Sequence, residues 1–391
     1  MSDHLQAHRK RLEGLLSASP ARLRAAVRTR YEAAVVGGER FVLFGAGNLG
    51  RRILRGLRAA GVEPLAFADN RPQLQGQVVD GLSVLAPVEA FLRYRNTAAF
   101  VPTVFTHSSL GNQLIDADLR VIPVPVLLWQ YPQTFLPFVS LTLPEAILEA
   151  RESILEGLEI WHEESSREEY LAQIAWRTTL DPAVLPAHLP QDQIYFPVEL
   201  FDLGPKEVVV DCGAFDGDTL RALLKRTSGY ARYYAVEPDS DNRSRLSASL
   251  RDLDPVLASH CTILPYAVGN HSGTTRFLET GTASSVVSDA GDQEISMERL
   301  DNLLQKATPT FIKMDIEGAE QDALQGGRET IQRCRPILAI CLYHRPDDLW
   351  KVPQIIKEII PDYRFYLRRY CDDLWEQVCY AVPPRRSKEH V

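Results

Sequence analysis

The sequence lacks several features that would place it in well-known classes of protein. None of its six cysteines forms a C-x-x-C pair, which argues against a structural zinc site, and their scatter does not indicate a disulfide framework. No stretch approaches the ~20 uninterrupted apolar residues of a membrane-spanning helix, because the most apolar segment, VIPVPVLLWQYPQTFLPFVSLTLP, is broken repeatedly by proline. The first residues, MSDHLQAHRKRLEGLL, are too charged for a secretory signal, so we expect a cytoplasmic protein.

Basic residues are also fewer than acidic residues. The chain has 43 Lys and Arg against 51 Asp and Glu, a formal net charge of −8. Such a chain has no general attraction to a phosphate backbone or to anionic lipid, so we expect no nucleic-acid partner and no membrane span. Its 391 residues, 45% of them hydrophobic, are enough for two cores.

Strand and helix patterns alternate twice along the chain. The first alternation runs from Phe41 to about Leu128, with strands predicted at FVLFG, PLAFAD, LSVL, AAFVPTVF and RVIPVPVLL. A helical pattern follows, and a second alternation begins at Val208 with seven predicted strands, the last two close enough to form a hairpin. We therefore predict an α/β protein with two Rossmann-like sheets: a 1–38 helical segment, a 39–130 small parallel domain, a 131–194 helical connector, a 195–385 seven-stranded domain and a 386–391 tail.

A glycine-rich loop follows the first predicted strand. Gly45, Gly47 and Gly50 form G-x-G-x-x-G at the start of a helix that includes Asn48, and Asp69 ends the next strand 22 residues beyond Gly47. This spacing is typical of dinucleotide-binding loops, in which a carboxylate meets the ribose. No Tyr-x-x-x-Lys or similar proton-transfer pair accompanies it. NAD binding, another nucleotide or acceptor at Gly45, Gly47, Asn48, Gly50 and Asp69, and a packing role all stay open.

Two arginines lie just past this loop. Arg51 and Arg52 fall in the first turn of the predicted helix, where they would meet phosphates or simply be solvated.

A second glycine-rich loop differs from the first because it carries several acidic residues. Asp211, Gly213 and Gly217 form D-x-G-x-x-x-G after a strand, with Asp216 and Asp218 in the turn. Glu237 ends the next strand, 24 residues beyond Gly213. Three carboxylates would repel a pyrophosphate but favour a cofactor that carries an ammonium and a sulfonium, which is the chemistry of S-adenosylmethionine. Its ribose diol would suit Glu237.

The motifs of this half, taken in order, resemble a known family. DCGAFDGDT, AVEPD, PYAVGN, IKMDIEGAE and LYHRPDDLW are similar to the FkbM family of class I S-adenosylmethionine-dependent methyltransferases, from about residue 195 to 383, and FGAGNLG resembles a two-domain branch of it. The resemblance implies an O-methyltransferase acting on a hydroxyl of a sugar, glycan or polyketide-like molecule. The cofactor contacts that it implies are Asp211, Gly213, Phe215, Asp216, Gly217, Asp218, Thr219, Glu237, Pro238, Ala267, Val268 and Asp315.

The candidate catalytic residues follow the later strands. Lys313 and Asp315 belong to KMDIEGAE and His344 to LYH, so all three reach the carboxyl edge of the predicted sheet. His344 is the leading general base because its ordinary pKa is near 6.5, and Asp315 is the second. We expect Lys313 to pair with Asp315 or with Glu317, since an unpaired buried lysine is costly.

A metal ion and a lid are further hypotheses. Asp315, Glu317 and Glu320 would suit Mg²⁺, although we favour a site without metal. GTASSVV, from Gly281, has the small polar residues of a mobile lid or of a plain surface loop.

Methyl transfer to a small-molecule or nucleotide-linked sugar is therefore the preferred function. A NAD-dependent sugar-nucleotide oxidoreductase and a non-catalytic nucleotide-binding scaffold are the alternatives, and self-association into a homo-oligomer stays open.

Overall fold

Two β-sheets with helices on their faces form the framework of the protein. The structure, a computed structural model, describes residues 3–35, 40–103, 114, 118–278, 286–287, 291, 293–372 and 375–388. The strands are β1 (Phe41–Phe44), β2 (Ala66–Ala68), β3 (Val78–Val79), β4 (Leu82–Leu85), β5 (Ala99–Pro102), β6 (Val208–Cys212), β7 (Arg232–Val236), β8 (Cys261–Leu264), β9 (Ala267–Val268), β10 (Gly273–Leu278), β11 (Val286–Val287), β12 (Gln293–Glu298), β13 (Phe311–Met314), β14 (Ile337–Cys341), β15 (Arg364–Arg369) and β16 (Gln377–Val382).

Helices connect most of these strands and fill the segment between the two sheets. They are α1 (Asp3–Leu16), α2 (Pro20–Val35), α3 (Asn48–Ala59), α4 (Pro87–Tyr94), α5 (Val124–Gln130), α6 (Pro132–Phe135), α7 (Pro144–Glu149), α8 (Arg151–Leu158), α9 (Glu164–Thr179), α10 (Asp218–Leu224), α11 (Ser240–Arg251), α12 (Pro255–Ser259), α13 (Leu300–Leu303), α14 (Glu320–Gly326), α15 (Arg328–Cys334) and α16 (Asp348–Ile359). Within the described residues, no helix has the length and apolar character needed to cross a bilayer.

The first sheet has five strands in the order β3-β4-β2-β1-β5. All neighbours are parallel except β3 and β4. This confirms the small Rossmann-like sheet. The strand predicted at RVIPVPVLL is wrong, because Val121 forms only an isolated bridge to Phe100 and the following residues form α5. Proline fits the first turn of a helix, where its missing N–H is not needed, and α5 is too buried to show a helical period.

The second sheet has seven strands in the order β15-β16-β14-β13-β6-β7-β8. Its strands are parallel except for β16, which runs antiparallel to both of its neighbours and closes the terminal hairpin with β15. All seven strands were predicted, because each lies in a short segment rich in β-branched and aromatic residues.

A small four-stranded sheet, β11-β10-β12-β9, was not predicted. Its strands are short and mostly half-exposed, so their hydrophobic pattern is weak. The GTASS part of the lid hypothesis lies outside the described residues, whereas Val286 and Val287 form β11.

The connector helices pack directly on the second sheet. Ile154, Leu158 and Ile174 belong to the same buried core as Ile312 and Ile340 of the central strands. The connector is therefore part of the larger domain's core rather than a spacer.

Candidate functional site

The site lies where the chain reverses direction within the seven-stranded sheet. β6 and β13 are neighbours, but the chain proceeds from β6 towards β7 on one side and from β13 towards β14 on the other. The helices that follow the two strands diverge, which leaves a crevice at their carboxyl ends. The two motifs DCGAFDGDT and KMDIEGAE meet at this crevice.

A first cavity opens between these motifs. Eight of the twelve residues expected to contact the cofactor line it: Gly213, Phe215, Asp218, Glu237, Pro238, Ala267, Val268 and Asp315. Asp211, Asp216, Gly217 and Thr219 do not. The lining also includes residues that were not expected to contact the cofactor, among them Asn242, Tyr266, Phe277 and Val287. Phe277 and Val287 come from the small sheet and had no sequence signal beyond their apolar character.

The glycines of the second loop are required by close packing. Gly213 has φ of +80° and a Cβ there would overlap the backbone oxygen of Asp315. Gly217 has φ of +88° and faces Leu246. Gly217 therefore shapes the loop without lining the cavity.

Glu237 is held in place by the loop that faces it. Its carboxylate accepts hydrogen bonds from the backbone N–H of Phe215 and of Asp239, both at 2.9 Å. Burial raises its pKa. Asn242 also donates to Oε1 at 3.4 Å, so Oε2 is the oxygen that retains a lone pair for a ribose hydroxyl.

Asp211 and Lys313 form a buried ion pair beneath the cavity. They face each other in the β6–β13 register, with Nζ 3.0 Å from Oδ1, and Tyr233 donates to Asp211 at 2.6 Å. Lys313 also donates to the carbonyl of Gly213 at 2.7 Å. Burial opposes the charge of Lys313, but Asp211 and Asp315 outweigh it and raise its pKa.

This pair corrects two expectations. Lys313 pairs with Asp211, not with Asp315 or Glu317, because the neighbouring strand presents Asp211 at the same level. Asp211 has no exposed surface and does not line the cavity, and Asp216 points outwards to Arg221 at 2.6 Å. Of the three loop carboxylates, only Asp218 faces the cavity.

Asp315 is held as a carboxylate at the floor of the crevice. Tyr195 donates to it at 2.7 Å and Tyr343 at 3.1 Å. Burial would raise its pKa, but the charges of Lys313 and His344 and the two hydroxyls outweigh this and lower it. A carboxylate with two oxygens already bonded is a poor proton acceptor, but it suits an ammonium group. Tyr195, from the segment before β6, was not identified from the sequence.

His344 lies among three carboxylates. Its Nδ1 is 2.7 Å from Glu320, and its Nε2 is 3.3 Å from Asp315 and 4.0 Å from Glu317. Burial lowers its pKa, but Glu320, Glu317 and Asp315 outweigh burial and raise it to about 10. An imidazole that already carries its proton at neutral pH cannot accept another. The role of His344 as general base stays a prediction, and the three carboxylates around it favour the protonated imidazole.

Glu317 has a pKa that suits a general base. Burial raises its pKa, His344 and Arg52 counteract the rise, and the result is about 7. Its backbone has φ of +55°, a left-handed conformation that is uncommon for a non-glycine residue. The next residue, Gly318 with φ of +99°, completes the turn into α14.

A second cavity of about 260 Å³ adjoins the first. Val268, Val287, Ile316, Glu317 and Ala319 line both. The remaining lining is largely polar: Gly269, Asn270, His271, Met297, Gly318, Asp322, His344 and Arg345. Glu317 therefore places its carboxylate at the boundary between the two cavities.

Asp315, Glu320 and His344 offer ligand atoms within 4.8 Å of one another, as a metal site would. Their hydrogen bonds do not fit Mg²⁺, however. Asp315 accepts from two tyrosines, Glu320 accepts from the N–H of Ile316 at 2.9 Å, and the third member is a protonated imidazole, whereas Mg²⁺ requires oxygen ligands. Glu317, expected as a ligand, is not a member of this group.

The first glycine loop forms a separate cavity of about 240 Å³. Gly45, Gly47, Asn48 and Asp69 line it together with Arg71 and Thr103, whereas Gly50 packs against Gly45. Asp69 accepts from the N–H of Ala46 at 2.8 Å and pairs with Arg71 at 2.8 Å, so its carboxylate is already engaged. An incoming ribose would have to displace Arg71.

Comparisons with known proteins agree with this geometry. Residues 211–373 match the family model described as the methyltransferase FkbM domain. The whole chain is similar in fold to the methyltransferase FkbM from Methylobacillus flagellatus KT, with a TM-score of 0.73 and 23% identity over 97% of this chain and 98% of that chain. No curated protein sequence matches the chain.

Weaker similarities cover about half of the chain. A putative rRNA methylase from Clostridium thermocellum has a TM-score of 0.31 and 11% identity over 46% of this chain and 89% of that chain. An rRNA methylase from Streptococcus thermophilus has a TM-score of 0.29 and 13% identity over 47% of this chain and 90% of that chain. Scores this low do not bear on the function of this chain. Residues 211–373 therefore resemble the methyltransferase FkbM domain, and the chain shares the fold of the Methylobacillus flagellatus protein.

Proposed function

We propose that this protein transfers the methyl group of S-adenosylmethionine to a hydroxyl of a sugar or glycan. The observation that carries the proposal is the position of Glu317, whose carboxylate lies at the boundary of a cavity lined by the cofactor motifs and a second, polar cavity. A polyketide-like acceptor is less well suited, because Asn270, His271, Asp322 and Arg345 offer hydrogen bonds rather than apolar contact.

S-adenosylmethionine would occupy the first cavity. Glu237 would accept from its ribose hydroxyls, and the carboxylates of Asp218 and Asp315 would face its ammonium and sulfonium groups. When bound, the cofactor supplies the electrophilic methyl group.

The acceptor hydroxyl would lie in the second cavity beside Glu317. An in-line displacement needs the oxygen ~3 Å from the methyl carbon and a base for its proton. As the methyl group is transferred from sulfur to oxygen, Glu317 would accept the hydroxyl proton. His344 stays protonated and prevents the carboxylates around it from repelling one another.

Calorimetry on the full chain tests the cofactor. We expect S-adenosylmethionine and S-adenosylhomocysteine to bind, and Glu237→Gln to weaken both. NAD should not bind, because Arg71 already occupies Asp69. Binding of NAD without binding of S-adenosylmethionine would show that the proposal is wrong. Transfer of labelled methyl to sugars rather than to nitrogen or carbon acceptors would then test the oxygen specificity.

A further inference from the structure

Two arginines from distant parts of the chain adjoin the turn that carries Glu317. Arg345 lines the second cavity, and its Nε lies 3.4 Å from the position of a Cβ on Gly318. Arg52, in the first turns of α3, is close enough to Glu317 for its charge to lower the pKa of that carboxyl. Helix α3 of the N-terminal domain therefore places a cation near Glu317.

Arg52 is fixed by aromatic packing rather than by a carboxylate. Its guanidinium lies 4.4 Å from the ring centroid of Phe138. Phe138 packs edge-on against Trp375 at 6.4 Å, and Trp375 packs against Tyr343 at 6.0 Å. Since Tyr343 donates to Asp315, a continuous series of ring contacts joins Arg52 to the floor of the crevice.

Two other arginines of α3 are paired with carboxylates, but Arg52 is not. Arg51 makes two hydrogen bonds of 2.8 Å to Asp80, and Arg58 makes an ion pair with Glu63 at 2.7 Å. In the described part of the chain, no carboxylate lies within 4.0 Å of Arg52. Arg55, one turn away, adds a like charge that lowers the pKa of Arg52 after burial. Two cations held at this spacing would be stabilised by an anion.

The positive charge of Arg345 is also only weakly balanced by nearby carboxylates. Its nearest carboxylate partner, Asp322, is 3.9 Å away and accepts instead from Asn270 at 2.9 Å. Glu317 and Asp322 are the carboxylates among the described lining residues of this cavity, and the raised pKa of Glu317 reduces its negative charge near neutral pH. The planar guanidinium group matches the oxygen pairs of phosphate and carboxylate.

We propose that the methyl acceptor carries a phosphate or carboxylate group held by Arg52 and Arg345 while its hydroxyl faces Glu317. This inference rests on the proposed function. It assigns to the N-terminal domain a part in acceptor recognition that is independent of nucleotide binding by the glycine loop.

Calorimetry on the full chain saturated with S-adenosylhomocysteine tests the proposal. The probes are glucose 1-phosphate, glucuronate and glucose. We expect at least one charged sugar to bind roughly tenfold or more tightly than glucose, since a charge-assisted hydrogen bond contributes about that much. Tighter binding of glucose 1-phosphate identifies a phosphate, and tighter binding of glucuronate identifies a carboxylate.

The variants Arg52→Gln and Arg345→Gln should each lose about tenfold of that affinity. Arg93→Gln is the matched control, because Arg93 is an exposed arginine of the same domain with its guanidinium 5.3 Å from the ring centroid of Tyr94. Affinity for S-adenosylhomocysteine should be unchanged in all three variants, which also verifies that they fold.

Three results would overturn the inference. The first is equal affinity for glucose and both charged sugars, and the second is an equal loss of affinity in Arg93→Gln. The third is no binding of either charged sugar at about 10 mM, a concentration that detects even weak affinity. Failure of the wild-type protein to bind S-adenosylhomocysteine would instead count against the proposed function.

Discussion

Glu317 is the residue on which the proposed chemistry depends. Glu317→Gln preserves the shape of the side chain but cannot accept the proton, so we expect kcat to fall by about 100-fold or more. Affinity for S-adenosylhomocysteine should change little. A radiolabel assay compares the variant with Glu358→Gln, which alters an exposed carboxylate at the end of α16 and should behave as wild type.

The pH profile of the same variant gives a second test. A base with a pKa of about 7 must be ionised to act, so wild-type kcat/KM should rise as pH increases through 7. Burial sets this pKa high, while His344 and Arg52 limit the rise, with Asp315 and Glu320 adding to it. Glu317→Gln should remove the rise. A variant that retains both the rate and the pH dependence of wild type would exclude Glu317 as the base.

Asp211 and Lys313 carry opposite charges in the most buried part of the site. Asp211→Asn leaves a buried lysine without its counter-charge, and we expect the free energy of unfolding to fall by about 3 kcal/mol or more. Asp211→Asn with Lys313→Met should lose less, because no charge is left unpaired. Denaturant unfolding measures both.

An exposed pair serves as the control for this experiment. Asp216→Asn breaks the surface contact with Arg221 and should cost less than about 1 kcal/mol. Because Asp211 lies beneath the cavity, the folded Asp211→Asn protein should still bind S-adenosylhomocysteine. A stable Asp211→Asn protein with weakened cofactor binding would instead support the direct contact expected from the sequence.

At the scale of elements, two glycines of the first glycine loop have different roles. A Cβ at Gly50 would overlap the carbonyl oxygen of Gly45, whereas a Cβ at Gly47 would meet only Arg71 at 3.8 Å. Gly50 therefore sets how closely α3 approaches β1, and Gly47 borders the open cavity. The motif is required for packing whether or not it holds a ligand.

Alanine substitutions at three glycines should therefore have different effects on the free energy of unfolding. Gly50→Ala should destabilise the protein by about 1–3 kcal/mol through overpacking, and Gly47→Ala should be nearly neutral. Gly14→Ala, in the last turn of α1 with nothing within 4 Å, should stabilise by up to about 1 kcal/mol because alanine favours the helix. Thermal or denaturant unfolding measures all three. Equal effects at Gly47 and Gly50 would contradict the packing role.

At the scale of the whole molecule, the N-terminal half and the methyltransferase sheet are not separable units. Arg177 of α9 is fully buried, and it donates to the carbonyl of Pro346 at 3.0 Å and to Gln377 at 3.1 Å. Leu12 and Leu16 of α1 belong to the same buried core as the central strands. The sheet therefore depends on helices that precede it in the chain, and α1 precedes it by more than a hundred residues.

A chain that begins at residue 185 should consequently fail to fold. It would expose the apolar surface that Ile154, Leu158 and Ile174 cover, and would lose Arg177. Near-ultraviolet circular dichroism and affinity for S-adenosylhomocysteine measure the outcome beside the full chain. A shortened protein with native spectra and intact cofactor binding would show that the connector is dispensable.

The order of strands and the place of the site could be read from the sequence. Each strand of the large sheet lies in a short segment rich in β-branched and aromatic residues, and each site motif follows its strand directly, so neighbouring residues alone carry the signal. Val126 shows the limit of that signal, because it was predicted in a strand but lies in α5. A short segment buried on all sides has no hydrophobic period that distinguishes helix from strand.

The chemistry of individual side chains depended on residues far apart in the chain. His344 is basic because Glu320 lies 2.7 Å away, Asp211 is neutralised by Lys313 about a hundred positions later, and Glu317 is influenced by Arg52 of the other sheet. Local sequence determines which groups are present and which strand each follows. Only the tertiary structure determines which charges share a low-dielectric interior, and there the identity of the neighbours, more than the type of residue, decides which group holds a proton and which can accept one.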